Sequence, residues 1–235
     1  MRTVGLIGGM SWYSTLEYYR VINTEVQRRR GGHASAQVAL QSLDFAGVRR
    51  CQETEDWAAA GLLLGDAARR CEAGGADVVL ICTNLMHKVA DAVAAAVDVP
   101  LLHIADAVAA EADRHGWTRL GLLGARWVME ETFYADRLAA HGISVVTPDE
   151  AGRAMVDGVI FDELTQGRIE PASRAAYAGV VRDLAAQGAE AVVLACTEIG
   201  LLLTPADSAL PLIDSMQAHA LAAVDFALAE RVHAG

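Results

Sequence analysis

Lysine is almost missing from this sequence: Lys88 stands alone among 19 basic residues, the other eighteen being arginine. A pyridoxal phosphate enzyme holds its cofactor as a Schiff base on lysine. That chemistry would rest on one residue, and no cofactor is expected. Cysteine is sparse and scattered. Cys51, Cys71, Cys82 and Cys196 show no CxxC spacing and no zinc-type grouping with histidine, so no metal site is expected. No apolar run reaches the roughly 18 residues of a membrane span, and Met1-Arg2-Thr3-Val4-Gly5 opens as a strand-like run rather than a leader. A cytoplasmic, reduced protein without a membrane partner is the plain reading. Positive charge is also short, with a formal net charge of −11. Nucleic acid and anionic membranes both require a basic surface, which excludes them as partners. A small anion in a locally positive pocket stays open.

What the chain has is apolar patterning. Hydrophobic residues make up 53% and charged residues 21% of 235 residues, enough for a substantial core and against disorder. Apolar runs of strand length alternate with alanine-rich helical stretches, which predicts an α/β fold with mainly parallel sheets. Three pieces then recur. Val4-Gly5-Leu6-Ile7-Gly8 matches Leu120-Gly121-Leu122-Leu123-Gly124, 116 residues on. Gly75-Ala76-Asp77-Val78-Val79-Leu80 matches Gly188-Ala189-Glu190-Ala191-Val192-Val193 at 113, and Val99-Pro100-Leu101-Leu102 matches Leu210-Pro211-Leu212-Ile213 at 111. Two similar doubly wound lobes are predicted, residues 1–102 with 212–235 and residues 103–211. Ligands of open parallel sheets bind beyond the carboxyl ends of the strands, so a cleft between the lobes is the expected site.

The residues just past the repeated strands are Cys82-Thr83-Asn84-Leu85-Met86-His87 and Cys196-Thr197-Glu198-Ile199. By eye the two cysteines align. The ungapped offset of 113 instead pairs Thr83 with Cys196 and leaves Cys82 opposite Ala195. A one-residue slip turns a side chain to the other face of a strand, so the register decides which residues reach a ligand. The ungapped register is preferred, with Cys82 as the alternative. A helix start is expected after each tip, capped by Thr, Asn or Glu, favouring a carboxylate there and lowering the pKa of a cysteine.

Gly8-Gly9-Met10-Ser11-Trp12, the Cys-Thr-Asn-Leu-Met-His run and Cys196-Thr197-Glu198 resemble the aspartate/glutamate racemase family. The similarity extends over essentially the whole chain, including Ser42-Leu43-Asp44-Phe45, Ala105-Asp106 and Phe161-Asp162-Glu163-Leu164. The resemblance implies a homodimer that inverts amino acids without a cofactor, using two thiols on opposite faces of the α-carbon. This sequence departs from the pattern. Thr83 stands at the family's first cysteine, Asn84 at its asparagine and Leu85 at its threonine. A threonine hydroxyl is a poor base but can relay a proton, so Cys196 and Thr83 are the candidate catalytic pair. Loss of the hydroxyl at Leu85 shifts the expected substrate toward a less polar side chain.

Met10 and Ser11, after the first glycine turn, are candidates for carboxylate contact; the complete GxGxxG of a nucleotide site is missing. Gln52 matches a position where relatives contact substrate. Asn84, Thr197 and Glu198 are candidates for ordering the site, and Arg126, after the second lobe's first turn, for reaching an anion. His87 is four residues past Thr83 and is expected either to orient a site group or to be structural. Trp12, Tyr18 and Tyr19 read as core and cleft wall. Two other functions compete with racemisation of aspartate, glutamate or a broader set of amino acids. One is decarboxylation of malonates or cis–trans isomerisation of small dicarboxylates with one cysteine. The other is a non-catalytic small-anion-binding module.

Overall fold

The computed structural model describes residues 1–229, which divide into two compact units. The first comprises Met1–His103 and the chain from His219 onward. Its elements run β1 (Val4–Gly8), α1 (Trp12–Arg30), β2 (Val38–Ser42), α2 (Phe45–Glu53), α3 (Trp57–Ala73) and β3 (Val78–Ile81). A 3-10 turn over Leu85–Val89, α4 (Ala90–Ala94) and β4 (Leu101–Leu102) follow. The strands form one parallel sheet in the order β2-β1-β3-β4. β1 and β3 are buried along their whole length, which is why both read as unbroken apolar runs. Helix α3 starts on Asp56, whose carboxylate accepts from Ala59 N at 2.9 Å. It buries Ala60, Leu64, Ala67, Ala68 and Cys71, a stripe at helical spacing. A buried leucine such as Leu64 contributes about 1.5–3 kcal/mol.

The second unit, Ile104–Ala218, repeats the plan. Its order is α5 (Ile104–His115), β5 (Arg119–Gly124), α6 (Arg126–Glu130), α7 (Thr132–Ala139), β6 (Ser144–Val146) and α8 (Glu150–Asp162). Then come α9 (Pro171–Ala186), β7 (Ala191–Ala195), α10 (Ile199–Leu202), β8 (Leu212–Asp214) and α11 (Ser215–Leu228), which ends in the first unit. The sheet is again parallel, in the order β6-β5-β7-β8. The α/β class and two-lobed plan are those expected. The second crossing lies elsewhere: β8 hydrogen-bonds to β7, so the boundary falls at 218/219 rather than 211/212.

The pairings carry the sequence repeat. Val4 opposes Val78 in the first sheet and Leu120 opposes Ala191 in the second; Ile7–Ile81 corresponds to Leu123–Leu194. The third piece agrees, with Val79–Leu101 matching Val192–Leu212. Continuing each strand by two residues makes Cys82 equivalent to Ala195, and Thr83 equivalent to Cys196. Among the described residues, no helix is long and apolar enough to cross a membrane.

Candidate active site

In the first unit the chain leaves β1 through Gly9, whose φ of +87° suits glycine. A Cβ on Gly9 would collide with the Leu43 carbonyl oxygen, and one on Gly8 with the Thr15 side chain. Gly9 N donates to Thr15 Oγ1 at 2.8 Å, and that hydroxyl donates to Ser11 O at 3.0 Å. The glycine pair thus serves close approach of backbone to backbone. Met10 is buried, and Ser11 holds the N-cap position of α1 in extended conformation without a side-chain bond to the first turn.

Past β3, Cys82 is wholly buried, and burial pushes its thiol far above the usual range. Its carbonyl accepts from Ser14 Oγ at 3.1 Å. Thr83 is half-buried, whereas Asn84, Leu85, Met86 and His87 are buried. Asn84 occupies the N-cap position of the 3-10 turn without capping through its side chain, contrary to the expectation. The turn is closed instead by two bonds from His87: its backbone N–H to Asn84 O at 3.1 Å and its ring Nδ1 to Thr83 O at 2.8 Å. Gln52 lies buried on α2; its amide donates to Met86 Sδ at 3.3 Å, and its Oε1 accepts from Arg49 at 3.2 Å. Arg49 also pairs with Glu53 at 3.1 Å.

In the second unit, Cys196, Thr197 and Glu198 are all half-buried at the end of β7. The Cys196 thiol donates to Glu198 Oε2 at 3.2 Å, and Thr197 Oγ1 donates to the same oxygen at 2.5 Å. Helix α10 has only four residues, with Glu198 at its N-cap position making no side-chain cap bond. The expectation of a lowered thiol pKa is therefore overturned. Burial first, and the Glu198 carboxylate second, hold the Cys196 thiol well above its ordinary value. Backbone N–H groups of Glu198 and Ile199 pull the other way without prevailing. Arg126 is exposed at the start of α6; its backbone N–H binds Asp157 at 2.7 Å, and its guanidinium lies 4.9 Å from the Trp127 ring centroid.

Two further groups, His103 and His219, were not legible as parts of this region, while Tyr18 is buried as its reading as core expected. His103, His219 and Tyr18 are buried with His87, and Tyr18 OH lies 2.8 Å from His219 Nδ1. Only a recurring apolar frame marks His103; no spacing joins His219 to His87. Trp12 and Tyr19, expected in core or cleft wall, are 57% and 49% exposed, since the α1 face turned inward is Ser14, Tyr18, Ile22 and Val26. Among the described residues no group of three or more His, Cys, Asp or Glu is arranged to hold a metal ion.

A family model described as Asp/Glu/hydantoin racemase matches residues 7–223. A Yersinia pestis structure described as a candidate Asp/Glu racemase is 46% identical and superposes with a TM-score of 0.93, covering 97% of this chain and 100% of its own. An aspartate racemase homologue from Pyrococcus horikoshii OT3 is 29% identical, with a TM-score of 0.83 over 97% and 99%. The broad specificity amino-acid racemase RacX of Bacillus subtilis (strain 168) is 24% identical over 150 residues. That match spans 64% of this chain and 64% of RacX, slightly under two thirds of the relative's length.

Proposed function

This chain belongs to the Asp/Glu/hydantoin racemase family, and from that membership we propose that it is a cofactor-independent racemase of amino acids. Aspartate, glutamate or a broader set are its substrates, with Cys196 and Thr83 as its acid–base pair. The observation that carries the assignment of the pair is the strand register, in which Thr83 and Cys196 hold the same position at the ends of β3 and β7. Both are half-buried, whereas Cys82 is wholly buried. Stereoinversion needs one acid–base group on each face of a planar carbanion.

The family resemblance implies that the second-unit cysteine serves the L-enantiomer; from that side the Cys196 thiolate takes the α-proton. The Cα–H bond breaks, an S–H bond forms, and the electron pair spreads into the carboxylate as an enediolate. The Thr83 hydroxyl then passes a proton to the opposite face and takes one from water in the same event; the hydroxide left behind is neutralised by the proton that Cys196 releases, which restores the thiolate. Met10 and Ser11, with the backbone N–H groups around Asn84, hold the carboxylate on which the negative charge collects. Glu198, hydrogen-bonded to Cys196 and Thr197, governs the protonation of the thiol. Leu85 supplies hydrocarbon where a hydroxyl would favour a second carboxylate. Gln52, tied to Met86, and Arg126 contribute to the substrate's surroundings. Because a thiol is the stronger acid–base group, initial turnover from L exceeds that from D, although equilibrium lies at equal amounts.

We further assign the enzyme to the cytoplasm as a homodimer; the four cysteines are unpaired, as a reducing compartment keeps them. The test is incubation in D2O, without pyridoxal phosphate or metal, against a panel of L- and D-amino acids. NMR reads α-proton loss and chiral chromatography reads inversion, with Cys196→Ala as control. Exchange with inversion, abolished by the substitution, supports the proposal. No exchange with any member would overturn it. A single competent thiol also suits a decarboxylase, where one protonation completes the reaction, so CO2 release from an arylmalonate is measured alongside.

A further inference from the structure

The first unit buries a group of imidazoles that the proposed reaction does not use. His87, His103 and His219 are 3%, 8% and 0% exposed. The His87 and His103 ring centroids lie 4.5 Å apart and those of His87 and His219 5.6 Å, edge to face in both cases. Such a group costs desolvation that leucine or phenylalanine would not. Its presence points to a directional task, and the hydrogen bonds show which one. His219 Nε2 lies 2.9 Å from the Leu102 carbonyl oxygen, which can only accept, so Nε2 carries the proton. Tyr18 OH lies 2.8 Å from its other nitrogen, Nδ1, and completes the ring's hydrogen bonding. His87 Nδ1 faces the Thr83 carbonyl at 2.8 Å and must likewise be the protonated nitrogen.

We infer that His87 is a positioning residue for Thr83, braced from behind by His103 and the Tyr18–His219 pair. The brace ties together three segments that follow the carboxyl ends of β1, β3 and β4 and a helix, α11, that enters from the second unit's last strand. Tyr18 belongs to α1, which follows the Gly9–Ser11 turn; His87 belongs to the turn after β3; Leu102 ends β4 and His103 follows it; His219 lies on α11. The His87 bond fixes the peptide carbonyl of Thr83 and so the direction of its side chain. A misplacement of about 1 Å in a reacting group lowers rate by roughly 100-fold. The rings meet edge to face instead of converging on one point, which sets the group apart from a metal site.

The inference rests on the proposal that Thr83 is the second acid–base group, and the experiment separates the two. His87→Leu removes the donor; His87→Asn keeps an N–H close to the place of Nδ1. Both are compared with wild type for deuterium exchange with retention, inversion, and amide-hydrogen exchange of residues 83–87. Cys196 alone suffices for exchange with retention from the L side. Loss of Thr83 placement therefore lowers inversion ~10- to 100-fold in His87→Leu while exchange with retention stays within about twofold of wild type. His87→Asn recovers most of the inversion, and protection of 83–87 follows the same order. Parallel loss of both reactions, or no loss of either, overturns the inference even with the racemase activity intact. If wild type exchanges no α-proton, the functional proposal falls by itself and amide exchange decides. Unchanged protection in His87→Leu then overturns the inference, and selective loss at 83–87 restored by asparagine supports it.

Discussion

Gly9→Ala separates two reasons for the glycine pair that opens the first unit. Gly9 has a φ of +87°, and a Cβ there would run into the Leu43 carbonyl oxygen, with the carbonyl carbon 3.0 Å away. The left-handed backbone costs an L-residue about 1–2 kcal/mol. Pushing aside a backbone wall adds about 1–3 kcal/mol, as for other overpacked sites. The sum is about 2–5 kcal/mol, a sizeable part of the roughly 5–15 kcal/mol that holds a typical domain. Gly167→Ala is the control. Its φ is +75°, but nothing lies within 4 Å of a Cβ there, so it carries the backbone cost alone. Urea unfolding with unchanged m-values reads both. Gly9→Ala should lose about 1–3 kcal/mol more than Gly167→Ala. The displaced turn carries Met10 and Ser11 with it, so the KM for amino acid should rise in Gly9→Ala only. Equal stability losses, with KM unchanged in both variants, would refute the close-approach argument and leave only conformational freedom.

Cys82→Ala should cost about 1–2 kcal/mol of stability and leave turnover in both directions within about twofold. Loss of turnover in a folded variant would mean that the β3 register has been misread. Because burial and Glu198 raise the Cys196 thiol, proton abstraction by thiolate should increase with pH into the alkaline range. Glu198→Gln removes the second cause, so the rise in its kcat/KM profile should move to lower pH; superimposable profiles would remove Glu198 from control of the thiol. His87 is held neutral by burial and by the neighbouring rings, its pKa well below the ordinary value. Its contribution to stability is therefore intact above the unfolded pKa of about 6.5 and is lost as pH falls below it. Unfolding free energies from urea titrations between pH 7.5 and 5 should decline less steeply in His87→Asn, by up to about 1.4 kcal/mol per pH unit. Equal slopes would count against the buried neutral ring.

Several expectations missed for reasons that lie beyond local pattern. The caps failed because Asn84 and Glu198 reach the N-cap positions without a side-chain bond to the turn that follows. A lowered Cys196 pKa presumed a helix long enough for its terminus to dominate, whereas α10 is four residues and a carboxylate sits 3.2 Å from the sulfur. Trp12 read as core or cleft wall by its type; it is not core, because the period of α1 turns Tyr18 and Ile22 inward and leaves Trp12 out.

The repeat itself needed no structure. Parallel strands buried on both faces must be apolar throughout, so the offsets of 116 and 113 survive as pairing register, and Thr83 takes in the first unit the position equivalent to that of Cys196 in the second. The α/β class and the glycine turn rest on the same short-range rules of backbone and hydrophobic period, whereas the strand order had to come from the tertiary structure. Tertiary structure decided the electrostatics and the partners. Tyr18 meets His219 across 201 residues, and His219 meets Leu102 across 117. A hydrogen bond between groups so far apart leaves no periodic trace, because its geometry exists only once packing has closed the chain around it.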